Sequence, residues 1–164
     1  MTKYVPFSIP RFVALTELAT GSTLIVHADA IVGTTARVAY GDLPERTQVT
    51  LVGKTDRATG EAIYETVVVE ETATEIEDAI EDAVVPEDRF AEWTGTNDLP
   101  AKVAWSTVRY LRHRDAYGAL PDRTLVVFAG KAFCIKDDVE DIADAIFGVA
   151  DDDAADGTDA IAAR

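Results

Sequence analysis

Cysteine is nearly missing from this sequence: Cys134 stands alone, so no intrachain disulfide can form and no cysteine metal cluster can be built. Histidine is almost as scarce, with only His27 and His113 available for imidazole chemistry. No run of residues approaches the roughly 20 consecutive apolar side chains that a membrane-spanning helix needs. The opening "MTKYVPFSIPRF" lacks an apolar stretch followed by a small-residue cleavage site, and reads as something other than a signal peptide. Positive charge is in short supply too. Fifteen basic residues face 30 acidic ones in a chain of 164, for a formal net charge of −15. That sign works against direct nonspecific binding to nucleic acid or to an anionic membrane, since both repel it. The expected setting is a virion interior or the cytoplasm, and the acidity fits solubility, adaptation to high salt, or docking on a basic partner.

What is present is a core, a repeat and an uneven charge pattern. Hydrophobic residues make up 48% of the chain, enough for one ordinary domain or two small ones. Glu70 to Asp88 holds nine acidic residues and no basic one, whereas Lys102 to Arg123 holds five basic residues and two acidic. A positive band therefore lies between acidic segments, and it is interleaved with aromatics. Trp93, Trp105, Arg109, Tyr110, Arg112, Arg114 and Tyr117 form the candidate interface on this reading, because aromatic and arginine side chains together mark protein contact sites.

The repeat is explicit. "YGDLPERTQVTLVGK" (Tyr40 to Lys54) returns as "YGALPDRTLVVFAGK" (Tyr117 to Lys131), with nine of 15 positions identical. Gly and Pro make each Tyr-Gly-x-Leu-Pro segment a turn. Arg46 and Arg123 are expected to hold it by pairing with a carboxylate, for example on the helix of the same unit. Strands are expected at Thr47–Val52 and Thr124–Ala129, returning at Ile63–Val69 and Ala132–Lys136, with 11 extra residues in the first hairpin. A helix follows each. Thr72 and Glu75 have capping-box spacing, and Ile76, Ala79, Ile80 and Ala83 make an apolar stripe, as do Val139, Ile142, Ala143 and Ile146. Earlier, Phe12–Leu18 and Thr23–His27 flank a Gly hairpin, and Ala36–Tyr40 reads as a further strand. Val103–Leu111 fits a strand or a short helix, and "PEDRFAEW" a short helix begun by Pro86.

These segments predict an α+β fold: a duplicated β-hairpin–helix unit with pseudo-twofold packing and an acidic C-terminal tail. The expected divisions are a first unit at 1–83, a linker at 84–99, a shorter second unit at 100–149 and the tail at 150–164.

Chemistry is thin. His27-Ala-Asp29 invites a metal or dyad reading, but a histidine ending a strand is more often structural. Cys134 matches Val68 of the first copy, as a small packing residue would. Neither Gly53-Lys54 nor Gly130-Lys131 carries a phosphate-loop spacing, and the aspartate-rich C-terminal run has no calcium-loop pattern. No cofactor and no metal is expected. Leu15, Thr16, Leu18, Gly21, Ile25, Ile31, Val49, Gly53, Val68, Glu71, Ile76 and Ile80 give the first half a pattern that resembles the small flagellar-operon proteins of the FlbD type. It departs from them at the enlarged hairpin, at His27 and in having a second unit. That resemblance implies a small, non-enzymatic, β-rich adaptor.

The function expected from these observations is a non-enzymatic structural or assembly protein, such as a virus or phage virion component. It would act through protein partners as a homo-oligomer or within a larger assembly. An acidic mimic of nucleic acid that inhibits a basic protein is the alternative, if carboxylates of both helices make one face. A metal-dependent hydrolase around His27 and Asp29 comes third.

Overall fold

The computed structural model describes residues 9–148. The strands are β1 (Phe12–Thr16), β2 (Thr23–His27), β3 (Ile31–Arg37), β4 (Arg46–Thr55), β5 (Ala62–Val69), β6 (Phe90–Thr94), β7 (Pro100–Ala104), β8 (Val108–Arg114), β9 (Arg123–Phe128) and β10 (Lys131–Ile135). Helix α1 (Ala73–Glu81) follows β5 and helix α2 (Val139–Phe147) follows β10. Short 3-10 turns at Ala28–Ala30 and Trp105–Thr107 precede β3 and β8.

This overturns the α+β expectation. The described residues are 51% strand and 17% helix, in three antiparallel sheets, so the fold is mostly β and not a duplicated hairpin–helix unit. The expected hairpins and helices exist, but they are parts of a larger pattern. Each half runs strand, strand, 3-10 turn, three strands, helix. Ile31–Arg37, Phe90–Thr94 and Pro100–Ala104 were the strands that local composition concealed. They are short, and rich in Gly, Ala or charged residues. Segment 84–99, expected as a linker, carries β6. The expected tail at 150–164 lies outside the described residues.

Backbone pairing shows how far the two halves correspond. Leu18 donates its N–H to Val68, and Thr96 donates to Cys134; Glu70 donates to Thr16, and Lys136 to Thr94. Thr47 Oγ1 donates to the Glu71 carbonyl at 2.7 Å, and Thr124 Oγ1 to that of Asp137 at 2.6 Å. The halves are nevertheless joined through a shared sheet. Its order is β1-β2-β8-β9-β10, so the first half's hairpin lies against the second half's strands, with Ile25 opposite Leu111 and Val26 opposite Tyr110. The other sheets are β3-β4-β5 and the β6-β7 hairpin.

Alternation along the five-stranded sheet sorts side chains to two faces. Val13, Leu15, Leu24, Val26, Tyr110, Leu125 and Val127 face β4, β5 and Ile76 of α1. Phe12, Ile25, Leu111 and Val126 face the other way, against Trp93 and Val103 of the β6-β7 hairpin and Val139, Ile142 and Ala143 of α2. The central sheet is therefore covered on both sides. Full burial of each Val, Leu or Ile contributes about 1.5–3 kcal/mol, and Phe12, Leu24, Ile25, Leu51, Leu111 and Ile135 are all less than 2% exposed. Gly53 of β4 lies tightly against β8 and β9. A Cβ there would lie 2.8 Å from Val127 Cγ1 and 2.9 Å from Arg109 Cβ, so only glycine lets β4 cross at this spacing.

Thr72 accepts a hydrogen bond from the Glu75 N–H, and Glu75 accepts one from the Thr72 N–H, completing the capping box read in the sequence. Asp138 caps α2 by accepting from the Glu140 N–H.

Candidate functional site

The twin Tyr-Gly-x-Leu-Pro segments become twin protruding turns. Tyr40 and Leu43 exchange both backbone hydrogen bonds at 2.9 Å, and Tyr117 and Leu120 do the same at 2.9 Å. Only two residues lie between them, and the first is glycine at positive φ: Gly41 at 58° and Gly118 at 59°. This is the type II′ pattern, whose first central position favours glycine because a Cβ there is strained. Each Tyr and Leu is a directly opposed pair, so both side chains leave the same face of the turn.

An arginine holds each turn at its base. Arg46 Nη1 donates to the carbonyls of Val38 at 3.3 Å and Pro44 at 3.1 Å. Arg123 Nη1 donates to those of Asp115 and Pro121, both at 3.2 Å. The expectation that these arginines fix the turn through a carboxylate is thereby corrected. Carbonyl oxygens turned inward by the proline corner are nearer than any acidic side chain of the helices.

What these turns present is apolar. Tyr40 is 78% exposed and Tyr117 is 80%; Leu43 and Leu120 are 45% and 48% exposed. Two rigid knuckles, each with an aromatic and an aliphatic side chain standing in solvent, are therefore built by one sequence motif used twice. The second has an extra brace. His113 Nε2 lies 2.9 Å from Asp115 Oδ1, and Asp122 accepts from the Ala116 N–H at 2.7 Å. His113, Asp115 and Asp122 bring their donor atoms within 4.8 Å of one another, but these hydrogen bonds already account for them as struts of the knuckle.

Of the seven interface residues expected from the sequence, the structure leaves Tyr117 as the large side chain fully presented to solvent. Trp93, Trp105, Arg109 and Tyr110 are all buried. The two indoles stack edge to face at 5.4 Å, and Trp105 meets Phe12 at 5.2 Å. The correction has a simple origin: the strand and 3-10 segments that carry these aromatics turn the two indoles onto the α2-facing core and Tyr110 onto the α1-facing one, where such rings bury the most surface. Arg114 is half-buried at the end of β8. An open groove of about 1000 Å³ runs beside Trp93, between α2, β6 and the chain entering it, with Val85, Phe90, Asp141 and Ile146 on its walls.

Arg112 is drawn inward into an ion network. Its Nη2 donates to Glu17 Oε1 at 2.7 Å and its Nη1 to Glu65 Oε2, while the Tyr110 hydroxyl donates to Glu65 Oε1 at 2.5 Å. Lys54 Nζ lies 4.0 Å from the same carboxylate. Burial pushes the Glu65 carboxyl up, but the Tyr110 hydrogen bond and the charges of Arg112, Lys54 and Arg114 outweigh it and hold its pKa below the ordinary value. Tyr110 is pushed the other way, first by burial and then by the carboxylate it serves. The network ties the end of β1 and strand β5 to β8, which is a clamp between the halves.

His27 is fully buried. Its Nδ1 accepts from the Asp29 N–H at 3.0 Å, capping the 3-10 turn, and its ring is also hydrogen-bonded to the Ile9 backbone. Asp29 in turn pairs with Arg11 at 3.0 Å. Burial lowers the His27 pKa to about 4, against the upward pull of Asp29 and Ile9, so the ring is neutral at pH 7. These contacts make His27 a capping residue. Cys134 is half-buried in β10, beside the core that contains its partner strand.

Tyr40, Leu43 and Leu120 were missed by the sequence reading, although the repeat that contains them was its strongest signal. Among the described residues, no helix is long and apolar enough to cross a membrane. Compared with known proteins, the chain matches no family model, no curated protein and no solved structure.

Proposed function

We propose that this chain is a non-enzymatic structural or assembly protein that binds protein partners through its two Tyr-Leu knuckles, as a component of a virion or of a comparable cellular assembly. The observation that carries this reading is the presence of the same exposed pair at both knuckles. The turn itself requires glycine at its first central position and the arginine at its base. It does not require a tyrosine and a leucine in water, yet both copies have them. Tyrosine is suited to contact, because a large amphipathic ring with few rotatable bonds loses little entropy on binding. Two equal sites on one rigid body would also let a partner with repeated acceptors bind with avidity.

The mimic reading has less support. It needs the acidic residues of both helices on one surface, and α1 and α2 pack against opposite faces of the central sheet. The hydrolase reading rested on His27 and Asp29, whose side chains are engaged in capping and in the Arg11 pair.

The test is site-specific photo-crosslinking. A benzophenone amino acid in place of Tyr40, and separately of Tyr117, is expected to give adducts with the same partner polypeptide in the source cells or particles. Adducts at neither position, with the protein folded and abundant, would refute the assignment.

A further inference from the structure

Strands β3 and β8 occupy equivalent places in the two halves, each following a 3-10 turn and pairing with the long strand after it. Their outer edges differ. That of β8 is covered by antiparallel β2, and its first four residues are buried. That of β3 has no strand beside it among the described residues, where β3 ends its three-stranded sheet. Every residue from Val32 to Arg37 is exposed.

Natural proteins blunt such edges with lysine, proline, inward-pointing charge or a bulge. The sequence of β3, "IVGTTAR", has no lysine or proline and no charge before its final arginine, four of its seven residues are β-branched, and the bulge between Ile31 and Gly33 confines the regular edge to the residues from Gly33 onward. The chain itself shows what this position accepts, because β8, its counterpart, takes an antiparallel strand from the other half. We propose that β3 pairs antiparallel with β3 of a second copy of this chain, joining two three-stranded sheets into one of six strands.

Charge favours a second copy meeting here. At a formal charge of −15, two copies repel across most of their surfaces. The β3 edge is uncharged from Ile31 to Ala36. With the pairing centred on Thr34, Gly33 falls opposite Thr35 of the second copy, and each Arg37 lies toward the bulged Ile31 end of the other strand, beyond which stands Asp29. Arg37 thus approaches the Arg11–Asp29 pair of the second copy, and the uncharged edge brings no acidic group against another. An extended peptide from a different protein is the competing occupant, and it predicts a monomer.

This inference rests on the assembly reading but uses a surface separate from the knuckles, so the two fail separately. Light scattering and native mass spectrometry over a wide concentration range are expected to show a dimer. Thr34→Lys places two ammonium groups opposite each other at the dyad and is expected to weaken dimerisation at least about tenfold, while knuckle crosslinks persist. Thr34→Cys in a Cys134→Ser background is expected to give a disulfide-linked dimer on mild oxidation, since directly opposed residues of an antiparallel pair come within bonding reach. Unchanged circular dichroism and melting would show that T34K is folded, and Val32→Lys serves as a second charge probe on the same edge. A chain that is monomeric at every concentration overturns the proposal, as does a dimer that T34K, V32K and T34C all leave unaffected.

Discussion

Replacing Arg112 by methionine removes a cation that Glu17 and Glu65 both contact directly at close range. Its side chain is 17% exposed, and those of Glu17 and Glu65 are 6% and 21% exposed. One oxygen of Glu17, Oε2, is already buried without a hydrogen-bond partner among the described residues. Methionine fills much of the volume but leaves Glu17 without its cation and Glu65 with only the Tyr110 hydroxyl and the more distant Lys54. Removing one member of a buried pair costs about 3–5 kcal/mol, a large share of the roughly 5–15 kcal/mol that holds a domain folded. For a chain of this size the loss corresponds to a fall in Tm of roughly 6–20 °C, at about 2–4 °C per kcal/mol.

Urea unfolding followed by the fluorescence of buried Trp93 and Trp105 measures the effect. The pH dependence separates charge from packing. In the wild type, Glu65 has a folded pKa below its ordinary value of 4.5. Its stabilisation is therefore complete above that value and is lost as pH falls through the lower folded pKa. Without Arg112, burial is less opposed and the Glu65 pKa rises. The folded variant then takes up its proton at a higher pH than before, so its deficit against wild type narrows as pH falls through the variant's raised pKa. Adding Glu17→Gln and Glu65→Gln to R112M should restore part of the stability. A variant within about 1 kcal/mol of wild type at pH 7, or a deficit that does not change with pH, would refute the account of the network as a charge clamp.

Other expectations follow from the same geometry. Gly53→Ala should cost about 1–3 kcal/mol through overpacking against Val127 and Arg109, while Gly33→Ala, which meets nothing within 4 Å, should be near neutral; paired denaturation curves compare them. His27 should remain neutral at pH 5.5 in NMR titration. Its folded pKa of about 4 lies below the ordinary 6.5, so its contribution of about 3 kcal/mol is present above pH 6.5 and is lost between there and pH 4. The β3 edge predicts a dimer that T34K dissociates.

Much of the architecture could be read from periodicity. The β4-β5 and β9-β10 hairpins, both helices and the Thr72–Glu75 cap announce themselves because β-branched runs, turn residues and apolar stripes coincide there. The strands β3, β6 and β7 do not. "IVGTTAR" is exposed on both faces, so no alternation marks it, and "FAEWT" imitates the start of a helix after Pro86. The pairing of β2 with β8 is a contact between halves, and nothing local encodes it. The interface residues failed for a related reason. Arginines and aromatics side by side in sequence alternate between faces in a strand, which sent Tyr110 and Arg112 toward Glu65 and left only the tip residue Tyr117 outside. The better clue was the repeat. A motif used twice keeps what its turn requires, and also Tyr40 and Leu43, which its turn does not require.

The central claim is that the knuckles are contact sites, and the double variant Tyr40→Ala/Tyr117→Ala tests it most directly. Both side chains are exposed, so its stability should stay within about 0.5 kcal/mol of wild type. Incorporation of the purified variant into the source assembly, measured against wild type in direct competition, is predicted to fall at least about tenfold, the effect of losing one or two aromatic anchors. Equal incorporation of the folded variant would contradict the account.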